Sequence, residues 1–342
     1  MTTGDRPSSA PTMGDVAHRA GVSQMTVSNV VNGRTARVGA ATRARVLAAI
    51  EELGYRVNVS ASRLRSGRTG VVALAVPDFS LAYYAEFAER LAVRFAEAGL
   101  RLVLEHTAGR RESELATVER GHLDQYDGLA LVLAAGDAEE VARRHPGRPV
   151  VIVGEREVSS SLDHVVMDNV GGARAATEYL LSTGARRIAV LGAQPGGPVS
   201  MASLRTRGYL EAIAAAGVAP DARLLVGGGV GFDDGARSAA ALIAEGAIPE
   251  ALLALTDETA LGALHTLAAA GIDVPGRVQV VGWDGTRAGR FATPALTTVD
   301  PDNDAIADAV VRLLARRIHA DGPVPREIVM PAARLVRRGT TL

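Results

Sequence analysis

Seven short, unbroken aliphatic runs constrain this chain more than anything else in it. They are VVALAV (71–76), RLVLE (101–105), GLALVL (128–133), VVIV (150–153), RIAVLG (187–192), LLALT (252–256) and VQVVGW (278–283). A strand with one wet face alternates apolar and polar residues. These runs do not, so they read as parallel strands covered by helices on both faces. Amphipathic helical stretches fall between them, at about 84–98, 172–182, 205–216, 236–245 and 259–270. The series makes two sets of βα units and predicts two similar, Rossmann-like open α/β subdomains. No helical repeat or low-complexity segment interrupts them.

The first seventy residues follow a different pattern. The stretch TMGDVAHRAGVSQMTVSNVVN (12–32) reads as two short helices around a tight turn. Thr12 is an N-cap with Asp15 as its capping-box partner. Val16, Ala17 and Ala20 form an apolar face, and Gly21 ends the helix in the left-handed region. Ser23 caps a second helix over 24–31, on which Val27, Val30 and Val31 share the inner side. Gln24, Met25, Thr26, Ser28 and Asn29 are left facing outward. Amides and hydroxyls at the start of an exposed second helix suit base edges in a major groove, although spacing alone also fits an ordinary helical hairpin. A third helix is expected at 41–53, where Val46, Leu47, Ile50 and Leu53 complete a three-helix core and Gly54 stops it. Arg34, Arg37, Arg43 and Arg45 lie around its start, where they can meet phosphates or simply form a solvated basic face.

Charge separates the two parts. Residues 1–68 hold ten arginines against Asp5, Asp15, Glu51 and Glu52, a balance of +6, while the whole chain is −1, so the remainder is −7. A basic head on an acidic body is what a nucleic-acid-binding module joined to a non-binding domain shows. Between them, 55–69 (YRVNVSASRLRSGRT) is polar and basic with one isolated leucine, Leu64. Asn58 could cap a helix of about seven residues there, too short to hold alone because nucleation is costly. Ordering seven residues costs on the order of 10 kcal/mol. The segment is therefore expected to order only against a partner surface, where Leu64 is either incidental or a wedge between base steps.

Several function classes drop out. The 37 basic residues are all arginine, which removes the lysine-dependent chemistry of P-loops, Schiff bases and kinases. There is no cysteine, the seven histidines are scattered, and neither GxSxG nor HExxH occurs, so neither a catalytic centre nor a metal site is expected. The glycine-rich GGGVGFDDG (227–235) places Asp234 where a dinucleotide fingerprint needs its third glycine, and its carboxylate would repel a pyrophosphate. No cofactor is expected. The first eleven residues lack the apolar core of a signal peptide and read as a disordered tail. No run is long enough to span a membrane, which leads to the expectation of a cytoplasmic, nucleoid-associated protein.

Ligands of open parallel sheets sit beyond the carboxyl ends of the strands. Those positions hold Asp78, Glu105, Glu155 and Arg156 in the first subdomain, then Asp257 and Asp284 in the second. Phe79, Tyr83, Tyr84 and Trp283 lie nearby in a chain with only 4% aromatic residues. Carboxylates, a guanidinium and aromatic faces across a cleft suit a small polar ligand such as a sugar. Polar residues also populate loops and caps, so each position alone stays open.

Taken together, these parts resemble the lactose/galactose repressor (LacI/GalR) family of bacterial transcription regulators over nearly the whole chain. DVAHRAGVSQMTVSNVVNG and TRARVLAAIEELGY carry the resemblance most specifically, supported by VPDFS, Asp168-Asn169, LRTRGY, TDETALGAL, VVGWDG and TPALTTV. It implies a helix-turn-helix domain at 12–57, a hinge at 58–69 and an effector-binding and dimerisation domain at 70–342, with a first subdomain over about 70–183 plus 300–327 and a second over about 184–299 plus 328–342. It places Gln24, Met25 and Asn29 at base edges, with Thr12, Thr26, Ser28 and Asn32 on the DNA backbone. Leu64 matches the hinge leucine inserted into the minor groove, with Asn58 and Ala61 at hinge positions. Asp78, Tyr83, Tyr84, Arg205, Asp257 and Asp284 match effector contacts, and only Arg205 comes from the resemblance alone. The chain departs from the family at Leu81-Ala82-Tyr83-Tyr84 (usually Asn-Pro-Phe-Phe), at Thr256 (usually Asn), at Gly285 (usually Asp) and at Val57 (commonly Pro). The chain ends soon after the last predicted strand with no heptad tail, which favours a dimer over a tetramer. The expected partners are operator DNA, a second copy of the chain and a small-molecule effector. The competing readings, a free-standing sugar-binding protein of the periplasmic type and a nucleotide-cofactor enzyme, lack respectively the signal peptide and the phosphate loop.

Overall fold

A computed structural model describes residues 11–31, 38–55, 68–145, 147–155 and 161–342. They fall into two compact units, one up to Thr69 and the other from Gly70 to Leu342.

In the first unit, α1 (Met13–Ala20) opens on the Thr12 capping box. The Asp15 amide donates to Thr12 Oγ1 at 3.3 Å, and the Thr12 amide donates back to Asp15 Oδ2 at 2.8 Å. Gly21 adopts φ 65° and turns the chain into α2 (Gln24–Val31), where Ser23 Oγ accepts the Thr26 amide. The third helix, α3 (Ala40–Leu53), closes the core of Val16, Ala17, Ala20, Val27, Val30, Val46, Ala49 and Tyr55. Of the expected inner face of α3, Val46, Ile50 and Leu53 pack into this core and Leu47 does not. Val46 and Ala49 are buried and Leu47 is 48% exposed.

The second unit starts with β1 (Val71–Val76), α4 (Ala82–Glu97), β2 (Arg101–His106), α5 (Arg111–Ala116), α6 (Arg120–Leu123), β3 (Gly128–Val132), α7 (Ala138–Arg144), β4 (Val150–Val153) and β5 (Asp163–Val165). The chain then builds a second lobe from α8 (Asn169–Ser182), β6 (Ile188–Leu191), α9 (Met201–Ala215), β7 (Leu225–Val226), α10 (Phe232–Ala244), β8 (Ala251–Ala254), α11 (Asp257–Ala269), β9 (Gln279–Trp283), α12 (Arg287–Phe291) and β10 (Thr297–Asp300). It returns to the first lobe for α13 (Asn303–Ile318) and β11 (Ile328–Val329), and ends in the second with β12 (Arg334–Val336).

The two sheets have one topology, β11-β5-β4-β3-β1-β2 and β12-β10-β9-β8-β6-β7. All pairings are parallel except β10 with β12. Each is sandwiched as the unbroken aliphatic runs require, except at the edge strand β2, which has no buried residue and leaves Leu104 45% exposed, against the expectation for that run. Val72, Leu74 and Val76 face α4 and α13, whereas Ala73 and Ala75 face the layer of Leu115, Leu123 and Val141. In the second lobe Ile188, Val190, Val281 and Trp283 face α8 and α9, and Ala189, Leu191 and Val280 face α10 and α11.

The lobe boundaries differ from those expected of the sequence. The helix α8 belongs to the second lobe, since Ala173, Ala176, Leu180 and Leu181 pack into its core. The strand β11 pairs with β5 in the first sheet, so residues 328–329 belong there. The lobes are thus joined by three crossings, after β5, β10 and β11. The small-residue face of α8 decides its side. A Cβ at Gly172 would stand 2.7 Å from Trp283, and one at Gly208 of α9 would stand 2.3 Å from the Val170 carbonyl. Both glycines are required by this close approach.

Gly208→Ala is expected to destabilise the unit by roughly 1–3 kcal/mol through overpacking. Gly121→Ala, whose added Cβ would meet open space, is expected to be close to neutral. Urea unfolding of both variants followed by circular dichroism measures the contrast; equal midpoints would show that the α8–α9 contact is not limiting.

Candidate nucleic-acid interface and ligand cleft

On α2 the valines settle which way the helix faces. Val27 and Val30 are buried against α1 and α3, so Gln24 and Met25 project outward, and Met25 is 74% exposed. Thr26, Ser28 and Asn29 are half-buried along the same helix. The Gln24 amide nitrogen lies 3.1 Å from where a Cβ on Gly14 would stand, so Gly14 leaves room for that side chain beside α1. Thr12 Oγ1 donates to Asp15 Oδ2 at 2.7 Å within the cap. Arg43 and Arg45 stand exposed on the first turns of α3. An outward amide, an outward thioether and flanking guanidiniums can reach base edges and phosphates together. Asn32, Arg37, Asn58, Ala61 and Leu64 lie outside the described residues, as does Arg156 of the expected cleft set.

Doubly wound sheets bind ligands where strand order reverses, which here is between β1 and β3 and between β6 and β8. The carboxyl ends of β1 and β8 border a cavity of about 120 Å³ between the two lobes. The first lobe contributes Tyr83 and Tyr84 from the opening turn of α4, together with Glu155 after β4. The second contributes Arg205 from α9, Thr256 and Glu258 at the start of α11, and Asp284 after β9.

Arg205 is the anchor of this set and is only 2% exposed. Its Nε donates to Asn169 Oδ1 at 2.7 Å, its Nη1 donates to the Leu255 carbonyl, and its Nη2 lies 3.7 Å from the Met167 sulfur. The guanidinium lies flat over Trp283, 4.0 Å from the ring centroid, and Nη1 is 4.0 Å from Asp284 Oδ1. Burial lowers its pKa, opposed by Asp284 and Glu155. Asp284 holds φ 118°, a conformation rare outside glycine, and its backbone is clamped by bonds to Val299 and Asn303. Strain of this kind, held by its surroundings, is a feature of ligand-facing positions. Burial drives the Asp284 carboxyl well above the ordinary carboxylate range, against the pull of Arg205. The Tyr83 hydroxyl is buried and finds no hydrogen-bond partner among the described residues.

Four expected contacts are corrected. Trp283 is fully buried, because the period of β9 puts it on the same face as Val281, under α8 and Arg205. Its ring is a platform for the guanidinium and offers no face to the cleft. Asp257 is also fully buried and turned away. Its Oδ2 accepts from the Thr286 amide (2.7 Å) and hydroxyl (2.9 Å), and its Oδ1 accepts from Thr298 Oγ1 (2.6 Å). Burial lifts its pKa to about 6 despite those bonds. Asp78 closes a turn by accepting the Ser80 amide and hydroxyl, both at 2.8 Å, and does not line the cavity. Glu105, at the end of β2, accepts from His122 and Tyr126 instead of facing the cleft. Gly285, where the family has Asp, sits at φ 70°.

Glu258 was not anticipated from the sequence. Thr256 caps α11, accepting the Thr259 amide at 3.1 Å, which puts Glu258 one residue beyond Asp257 and on the cavity side. Its Oε1 accepts the amide of Ala82, the first residue of α4, at 2.7 Å. A second bond mirrors it, with the amide of Arg287 in α12 donating to Glu86 Oε1 at 2.9 Å. Each lobe thus offers a carboxylate to the positive end of a helix in the other.

Residues 12–58 match the family described as bacterial regulatory proteins, lacI family, and residues 177–341 match a periplasmic binding protein-like domain. The chain is 34% identical to the HTH-type transcriptional regulator CelR of Thermobifida fusca, over 96% of this chain and 97% of that protein. This chain belongs to the LacI family. It is accordingly a DNA-binding transcriptional regulator, as its relatives are, and not an enzyme. Among solved structures, the CelR–cellobiose complex superposes with a TM-score of 0.70 at 30% identity, covering 96% of this chain and 99% of that one. The lac repressor dimer bound to operator and the anti-inducer ONPF superposes at 0.84 with 26% identity, covering 98% and 100%. No helix among the described residues is long and apolar enough to cross a membrane.

Asp284→Asn tests the burial of that carboxyl. A carboxyl whose folded pKa is raised contributes stability that is present below its unfolded value and lost as pH rises. The amide imitates the protonated form, so the variant should melt higher than the parent at pH 7, and the difference should vanish near pH 4. Thermal melts at both pH values check this; a variant less stable at pH 7 would show that the attraction to Arg205 outweighs desolvation.

Proposed function

We propose that this LacI-family regulator is a repressor that binds a pseudo-palindromic operator as a homodimer and is controlled by a sugar or sugar derivative in the inter-lobe cleft. The observation that carries the reading is the pairing, in one chain, of an outward Gln24–Met25 face on α2 with a buried, strained polar cleft around Arg205 and Asp284. The operator-bound lac repressor dimer and the cellobiose complex of CelR support it by likeness. In this reading Gln24, Met25 and Asn29 read base edges, while Thr12, Thr26, Ser28, Asn32 and Arg37 hold the DNA backbone. Asn58, Ala61 and Leu64 form the hinge contact. Tyr83, Tyr84, Arg205 and Asp284 meet the effector, joined by Glu155 and Glu258. The protein works in the cytoplasm on the nucleoid. Effector and operator are linked through a coupling free energy, typically about 1–3 kcal/mol, or roughly 5–150-fold in affinity.

Selection of random duplexes on the full chain is the direct test. A two-fold-symmetric enriched site is expected, and enrichment without symmetry, or none, would overturn the reading. On that site, Gln24→Ala should cost roughly 1–3 kcal/mol of discrimination at one base pair per half-site. Leu64→Ser should weaken specific binding and reduce operator bending in circular-permutation gels, leaving a salt-sensitive nonspecific component.

A further inference from the structure

The cleft has an unbalanced charge. Among the described residues, three acidic side chains, Glu155, Glu258 and Asp284, line it against one guanidinium, Arg205. That guanidinium is already committed, with Nε on Asn169, Nη1 on the Leu255 carbonyl and its flat face on Trp283. An anion entering the cavity would meet no uncommitted cation among the described residues and several acidic side chains. Ion pairs of like sign in a confined, weakly screened space are strongly unfavourable. Glu258 is 6% exposed and accepts one bond, from the Ala82 amide, while the buried Tyr83 hydroxyl has no partner among the described residues. Burial also raises the pKa of both Glu258 and Asp284, as it does for carboxylates short of a counter-charge.

Building on the reading of this cleft as the effector site, we propose that it selects a cationic, amine-bearing polar ligand, an amino sugar or comparable polyhydroxylated amine, with Glu258 as the counter-ion of the ammonium. Hydroxyls of such a ligand meet Tyr83 and Asp284, and its charge offsets the excess of carboxylates. The choice of Glu258 also gives the ligand a grip on both lobes. The same carboxylate ties α11 to the first turn of α4, and the Glu86–Arg287 bond ties α4 to α12 alongside it. An ammonium at Glu258 therefore acts on a bond that spans the cleft.

The chain has one tryptophan, Trp283, lying under Arg205 at the floor of the cleft, so its fluorescence reports occupancy without DNA. Three scaffolds are titrated into the full chain, each in amine, neutral and anionic form: glucosamine, glucose and glucose 6-phosphate; the corresponding galactose series; and the glucosamine dimer, cellobiose and cellobionate. The amine form of at least one scaffold should bind at least tenfold tighter than its neutral form, with no saturation by the anionic form at hundredfold higher concentration. Glu258→Gln, which keeps shape and removes charge, should cut the amine preference to under threefold. Glu258→Ala, which also removes the charge, provides the same reading if Glu258→Gln does not fold. A neutral or anionic form binding as tightly as the amine, no response to any form, or an amine preference unchanged in the variants would each overturn the proposal. Operator binding measured on the same preparation keeps the two readings apart, because its loss would sink the regulator reading while the order of ligands stands or falls on fluorescence alone.

Discussion

The buried guanidinium of Arg205 is the interaction on which the second unit's architecture depends. Taking an arginine out of water costs several kcal/mol unless its donors and charge are met inside. Here they are met by four groups from three places in the fold: Asn169 from α8, the Leu255 carbonyl beyond β8, and, at the end of β9, the Trp283 ring and the Asp284 carboxyl. Each partner is pinned by something else. Trp283 sits against Gly172, which has no side chain because there is no room for one. Asp284 is held in a left-handed backbone by Val299 and Asn303. Displacing any one partner leaves a buried charge short of a contact, so the floor of the cleft behaves as one object.

A similar logic separates Asp257 from Asp284. Both are buried carboxylates at strand ends, and both have raised pKa values. Asp257 spends its lone pairs on Thr286 and Thr298 and so stitches α11 to α12 and β10. Asp284 keeps its carboxylate toward the cavity, beside Arg205. One is structural and the other is available to a ligand, although sequence position hardly distinguishes them.

Much of the fold was legible because long aliphatic runs and helix caps are strong local signals. The strands β1 and β4 and the helix α2 match their expected bounds, and the remaining long runs do so to within a residue or two. Five strands were not read from the sequence: β5, β7, β11 and β12 have only two or three residues, which carry no period and pair only through neighbours already in place, and the threonines of β10 hide it among polar stretches. For the same reason the lobe boundary was misplaced around α8, a helix whose side is chosen by glycine clearance and not by its own pattern. In the cleft, Arg205, Tyr83, Tyr84 and Asp284 were found and Glu258 was missed. The sequence places residues at strand ends; whether they turn in or out depends on strand parity and on which threonine caps the next helix. Trp283 shows this well, as counting back by twos to Val281 assigns it to the core.

The triple crossing between lobes bears on how the chain is made. The first lobe's sheet is complete only when β11, at residues 328–329, pairs with β5, and its α13 layer comes from residues 303–318. Nearly the entire second lobe lies between. During synthesis the amino-terminal helices can fold as soon as they emerge, while the sheet edge at β5 waits for almost the last residues of the chain. An incomplete or truncated product would therefore present a competent DNA-reading unit attached to an unfinished sheet with an open edge, a species able to occupy DNA while lacking a finished cleft to govern it.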